Sequence, residues 1–231
     1  MEQIISQDHN KLVEFLNLLQ KELVSTHNHS QSESSHIVSS IDISVGSTPT
    51  SQLHSRNNIF AESTPNNNIE IHPGNYVFFD RQQLWVGSCC QSETQISVRV
   101  LSRVISHYKD PDRNCIILDC GALALTKDTS PQGGVCSIDG YPELECYRMS
   151  QEVIMVRLRN KGNASTSGDA NGNQTDFPFH NFPLGMEVFL IPNHSCLSAA
   201  CFDKYYVTDE KDGTFNGDHE IVDEWVPCKG W

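Results

Sequence analysis

Met186-Glu187-Val188-Phe189-Leu190-Ile191-Pro192, continued by Asn193-His194-Ser195-Cys196, is the stretch on which the reading of this chain turns. Its branched and aromatic residues, closed by Pro192, predict a buried strand running into a turn. His194 and Cys196 follow two residues apart. On extended backbone, residues i and i+2 point to one face, so an imidazole and a thiolate could grip a single ion there, whereas a helix would diverge them. The spacing therefore predicts that the pair rides on a strand. Zinc takes four ligands, so two side chains leave positions for water, substrate or a distant residue. The alternative is a buried histidine beside an inert, small apolar cysteine. Cys201, five residues on, is left open as a third ligand or as core filler.

Outward from this stretch, the chain from about Ile69 reads as short strands separated by turn residues, which predicts an antiparallel barrel or sandwich. Strands are expected at Tyr76–Phe79, Ile96–Ile105, Cys115–Asp119, Glu152–Leu158, Met186–Pro192, Tyr205–Val207 and Ile221–Val226. Residues 160–176, rich in Gly, Asn, Ser and Thr, cannot bury a core and read as a disordered hairpin insertion. Upstream, Leu12, Phe15, Leu16, Leu19 and Leu23 recur at helical spacing behind Asp8 as a cap. A short alternating run, Ile41 to Val45, then predicts a strand ending at Gly46. One helix and one strand cannot bury each other's faces, so this region reads as a piece of something larger.

Composition bounds the function. The 231 residues are 38% hydrophobic and carry a formal net charge of −13. That is enough apolar material for a real core and the wrong sign for a nucleic-acid surface or a basic membrane patch. Small-molecule chemistry is the better expectation, and the absence of a signal-like or membrane-spanning stretch predicts a cytoplasmic protein. Nine cysteines, an odd number with several inside apolar runs, predict reduced and mostly buried thiols; no C-x-x-C pair supports a zinc knuckle.

Two glycine turns carry further chemistry. Gly46-Ser47-Thr48-Pro49-Thr50 follows a predicted strand, where glycine lets backbone approach an anion and amides and hydroxyls donate to it. It is no P-loop, since no Gly-Lys-Ser/Thr follows. His72-Pro73-Gly74-Asn75-Tyr76 is a second such turn. Each could equally be an ordinary loop.

Taken in order, SVGSTPT (Ser44–Thr50), EIHPGNYVFFD (Glu70–Asp80), DCGALALTKD (Asp119–Asp128), PNHSC (Pro192–Cys196) and DEWVPCKGW (Asp223–Trp231) resemble the eukaryotic D-serine dehydratase family, of the alanine-racemase-like pyridoxal-phosphate enzymes. The resemblance implies an α+β chain: the last part of a (β/α)8 barrel over residues 1–79, followed by a C-terminal antiparallel β domain over residues 80–231. It implies Gly46, Ser47, Thr48, Thr50, Gly74, Asn75 and Tyr76 on the pyridoxal phosphate side, with His72 toward the pyridine ring, and His194 and Cys196 as zinc ligands. The activity implied is conversion of a D-amino acid substrate, D-serine, to pyruvate and ammonia, in a homodimer. The family's cofactor lysine lies on an early barrel strand, and none of the lysines here stands in that context. The resemblance thus implies a chain truncated at its N-terminus, without catalysis alone. The alternatives are a non-catalytic zinc-binding or interaction fragment, and a D-threonine aldolase-like lyase. Related D-threonine aldolases carry a carboxylate where Cys196 stands, and a thiolate favours zinc and the dehydratase.

Overall fold

The computed structural model describes residues 43–45, 69–88, 90–110, 112–131, 133–159, 177–209 and 220–228, together with six residues between positions 11 and 22. Those six, Lys11, Glu14, Phe15, Leu18, Lys21 and Glu22, are helical, and Phe15 and Leu18 are exposed. The chain divides into two units, residues 1–77 with 85–89, and residues 78–84 with 90–231. In the first, β1 (Ile43–Val45) and β2 (Ile69–Ile71) pair in parallel, Ile43 opposite Ile69 and Val45 opposite Ile71. Ile69–Ile71 is therefore not the start of the antiparallel pattern: a parallel partner needs a long crossover, which the 23 residues between the strands supply. The predicted insertion at 160–176 and the glycine turn at 46–50 lie outside the described residues.

The second unit is built on a six-stranded antiparallel sheet. Its strands are β3 (Val100–Tyr108), β4 (Cys115–Leu118), β5 (Cys136–Ile138), β6 (Leu144–Met149), β7 (Ile154–Leu158) and β8 (Glu187–Pro192), in the order β5-β8-β3-β4-β7-β6. The two outer strands approach each other: the Val135 N–H donates to the Cys146 carbonyl at 3.0 Å, so the sheet is nearly closed into a barrel. Register shifts in β3, between Val104 and Ser106, and in β6, between Cys146 and Arg148, supply the local bends that such curvature needs.

Alternation explains which residues face inward. Val100, Ser102 and Val104 of β3 are buried while Leu101 and Ile105 are about half exposed. The interior collects Val104, Ile116, Leu118, Leu144, Ile154, Val156 and Leu190, capped by Phe177 and Phe182 with ring centroids 5.5 Å apart. The cysteines behave as expected. Among the described residues all eight are free; Cys90, Cys115, Cys120, Cys136 and Cys146 are buried, while Cys201 and Cys228 are exposed. Burial pushes the Cys120 thiol up to about 12, with the nearby Asp119 carboxylate adding to the shift, so it stays protonated and inert at neutral pH.

Several expectations are corrected. Tyr76–Phe79 forms bends and no strand, because the chain is turning into a short helix, α1 (Arg81–Trp85). The expected strand from Ile96 begins instead at Val100, after a single 3-10 turn over Glu93–Gln95. Strands β5 and β6 stand where the sequence pattern predicts none. A separate antiparallel ribbon, β9 (Tyr205–Thr208) with β10 (Ile221–Trp225), completes the described part, and every residue of β10 is exposed.

Candidate metal centre

Strand β8 ends at Pro192, and His194 is the N-cap of a second helix, α2 (Ser195–Ala200), with extended backbone (φ −133°, ψ 96°). Cys196 is already in the first helical turn. The pair is therefore not on a strand, as the two-residue spacing predicted. A strand-to-helix corner does the same work: the extended residue aims its ring along the helix start, and His194 Nε2 lies 2.9 Å from Cys196 Sγ.

The other ring nitrogen faces a carboxylate. His194 Nδ1 is 3.1 Å from Asp128 Oδ2, and an ionised carboxylate can only accept, so Nδ1 carries the hydrogen and donates it. In a neutral ring Nε2 is then the lone-pair nitrogen, which can accept the Cys196 S–H. Burial pushes the Cys196 thiol up, and the Asp80 carboxylate adds to that, so without a cation it rests as a thiol.

Asp128 comes from the loop after β4. That loop leaves the barrel at Gly121, where an added Cβ would lie 2.4 Å from the Gln151 carbonyl oxygen, so only glycine allows this backbone approach. The Ala122 and Leu123 N–H groups then donate to the Ser150 and Gln151 carbonyls at 3.0 and 3.1 Å. Further on, Asn193 Nδ2 donates to the Asp128 carbonyl at 2.7 Å and to the Gly134 carbonyl at 3.2 Å, and Gln82 Nε2 donates to Asp128 Oδ2 at 3.2 Å.

Beneath the pair lies a buried polar cluster. Asp80 is 1% exposed and serves two helix starts at once: Oδ1 accepts from the Gln83 N–H of α1 at 2.8 Å, and Oδ2 from the Ser195 N–H of α2 at 3.2 Å. Ser195 Oγ donates to the Phe79 carbonyl at 2.8 Å. Burial raises the Asp80 pKa, with these amide bonds pulling the other way. Arg81, also buried, donates to Asn193 Oδ1 at 2.5 Å and to Glu93 Oε1 at 2.6 Å, and Ser137 Oγ reaches Glu93 Oε2 at 3.0 Å. The residue before His194 is thus held from both sides.

As a metal site the corner offers one nitrogen and one sulfur donor. A tetrahedral zinc with ordinary bond lengths separates such donors by about 3.5 Å, so the pair needs to open by roughly half an ångström. The donor types fit zinc. Among the described residues no group of three or more His, Cys, Asp or Glu side chains could hold a metal. Cys201 is no core filler: it is exposed, with its thiol on the Leu197 carbonyl at 3.4 Å.

Of the seven residues expected at pyridoxal phosphate, Gly46, Ser47, Thr48 and Thr50 lie outside the described residues. Asn75 is buried, Tyr76 is 67% exposed, and Gly74 has no atom within 4 Å of where a Cβ would stand. His72 is exposed, with its Nε2 3.7 Å from Glu70 Oε2. Asp80 and Asp128 figure in the sequence only as the ends of the motifs Glu70–Asp80 and Asp119–Asp128. Their signal was present, since each is an acid at the close of a segment that carries the resemblance.

Residues 97–208 match a family described as "Putative serine dehydratase domain". The chain is 33% identical over 199 residues to a D-serine dehydratase of Dictyostelium discoideum, covering 82% of this chain and 43% of that protein. It is likewise 33% identical to a D-serine dehydratase of Schizosaccharomyces pombe, over 83% of this chain and 41% of that protein. Among solved structures it resembles D-threo-3-hydroxyaspartate dehydratase from Delftia, at 26% identity and a TM-score of 0.55, covering 82% of this chain and 45% of that one. That enzyme has also been solved as a cysteine-to-alanine variant in the metal-free form and as a histidine-to-alanine variant. The chain spans about two fifths of the length of the curated relatives it matches.

Proposed function

Since this chain belongs to the D-serine dehydratase family, we propose that it supplies the metal-holding β domain of a lyase that removes water from a D-amino acid bearing a hydroxyl on its β-carbon. D-serine is the substrate favoured by the named relatives, with pyruvate and ammonia as products. D-threo-3-hydroxyaspartate carries the same leaving hydroxyl, and the Delftia enzyme is named for it. The observation that carries the reading is the His194–Cys196 corner, where a lone-pair nitrogen and a thiol meet at 2.9 Å with the far ring nitrogen held by a carboxylate.

His194 through Nε2 and Cys196 through Sγ would hold the metal. A zinc ion bound there would act as a Lewis acid on the substrate hydroxyl, lowering the cost of hydroxide departure. The chain's own part is orientation. Asp128 keeps Nε2 free of hydrogen, Asp80 fixes the start of α2 so that Cys196 stays beside the ring, and Arg81 holds Asn193 so that the corner cannot swing. Pyridoxal phosphate, the cofactor that the family relationship suggests, would stabilise the carbanion left by loss of the α-proton. The parallel pair β1–β2 supports reading the first unit as strands of a (β/α)8 barrel that would carry it. A cytoplasmic homodimer is part of the same proposal.

The test is pyruvate release from D-serine. A protein carrying this chain intact, supplied with pyridoxal phosphate and zinc, is compared with its Cys196→Ala variant. Pyruvate from the first and at least a hundredfold less from the second supports the reading. Equal rates from both remove the corner from the chemistry.

A further inference from the structure

We propose that Asp128 is a positioning residue for the metal centre, selecting the His194 tautomer and thereby the affinity for the ion. The inference rests on the proposed zinc site and assigns a role to a residue outside the ligand pair.

The geometry separates Asp128 from the ligands. Its Oδ2 meets the ring at Nδ1, while Cys196 meets it at Nε2, and these nitrogens point away from each other across the imidazole. A carboxylate on the Nδ1 side cannot join an ion on the Nε2 side, so its effect passes through the ring. A neutral imidazole has one hydrogen to place. With a carboxylate at 3.1 Å from Nδ1 the hydrogen goes there, and Nε2 faces Cys196 as a donor pair ready for a cation.

Asp128 is itself held in place. Gln82 donates to the same Oδ2 at 3.2 Å, and Asn193 grips the Asp128 backbone carbonyl at 2.7 Å while its own carbonyl oxygen accepts from Arg81. Asn193 adjoins His194, so the carboxylate and the ring it orients are fixed by one amide side chain. An arrangement needed only for folding would not require a carboxylate on the ring nitrogen, because an amide oxygen accepts equally well. What an amide cannot do is refuse to donate. In Asp128→Asn the side chain can turn its NH2 toward Nδ1, moving the ring hydrogen to Nε2 and closing that nitrogen to a metal.

The experiment uses the full chain, metal-free and zinc-titrated, as wild type, Asp128→Asn and Cys196→Ala. Nitrogen-15 spectra of the histidine rings in the metal-free protein read the tautomer, with His194→Gln assigning the signal. Calorimetric titration with zinc chloride reads the affinity. The expected result is Nδ1–H in the wild type, a shift toward Nε2–H in Asp128→Asn, and a zinc Kd raised by about 10–100-fold. Loss of binding in Cys196→Ala confirms that the titration reports this site. An unchanged tautomer in Asp128→Asn, or a shifted tautomer with Kd within twofold of wild type, overturns the proposal. A wild type that binds no zinc overturns the metal reading itself, and with it this role.

Discussion

The barrel interior and the β8–α2 corner are equally buried and oppositely made. Inside the barrel, Val104, Ile116, Leu118, Ile154 and Leu190 are all fully buried and apolar. At the corner, Asp80, Arg81, Asn193 and Ser195 are at most 4% exposed and polar, each tied by directional bonds. Apolar packing stabilises in proportion to area and tolerates small shifts, whereas a buried hydrogen bond is costly unless it is met along one direction. The barrel supplies stability, and the corner converts some of it into fixed aim for one ring and one thiol.

Changes on the two sides should therefore separate. Leu118→Ala, inside the barrel, should cost about 2–5 kcal/mol in urea unfolding. Zinc affinity of the folded fraction should stay as in wild type; a fall of tenfold or more would show that the two regions are not separable. Arg81→Ala should cost about 3 kcal/mol, because it strands Asn193 Oδ1 in a buried setting and leaves Glu93 without its cation. Unlike the first variant, it should also weaken zinc binding, measured by the same titration. Gly121→Ala tests the loop that carries Asp128. A Cβ there meets backbone at 2.4 Å, so a loss of about 1–3 kcal/mol is expected by thermal unfolding. No change in Tm would contradict the close approach.

The smallest effect concerns Asp80. Its folded pKa is raised above the ordinary 3.8 by burial, so the stability that its protonation contributes is complete below 3.8 and is lost as pH rises through the folded value. Asp80→Asn removes that dependence while giving up one accepted bond, worth about 1 kcal/mol. The variant's deficit against wild type should therefore be larger at pH 4 than at pH 7 in urea midpoints. A deficit that grows with pH would reverse the sign argued here.

Much of the barrel was readable because its strands alternate or run apolar: β3, β4, β7 and β8 sit within three residues of where pattern placed them, except for the late start of β3. Strand β5 was not, since Cys136-Ser137-Ile138 is too short to show a period. Leu144–Met149 does alternate, but its Glu145 and Arg148 masked a half-buried strand. The helices α1 and α2, of five and six residues, make too few turns for a 3.6-residue period to register. At the site, the residue pair was legible and its backbone was not. Two-residue spacing implies a strand only when both residues share one element, and here the element changes between them. Asp128 reaches His194 across 66 residues and Asp80 reaches Ser195, between the pair, across 115, distances over which local pattern carries no signal.

The most direct test is the zinc content of the purified chain by elemental analysis, beside Cys196→Ala prepared in the same way. The proposed centre predicts close to one zinc per wild-type chain and a small fraction of that in the variant, with both equally folded by circular dichroism. The same zinc content in both proteins, or none in either, would contradict it.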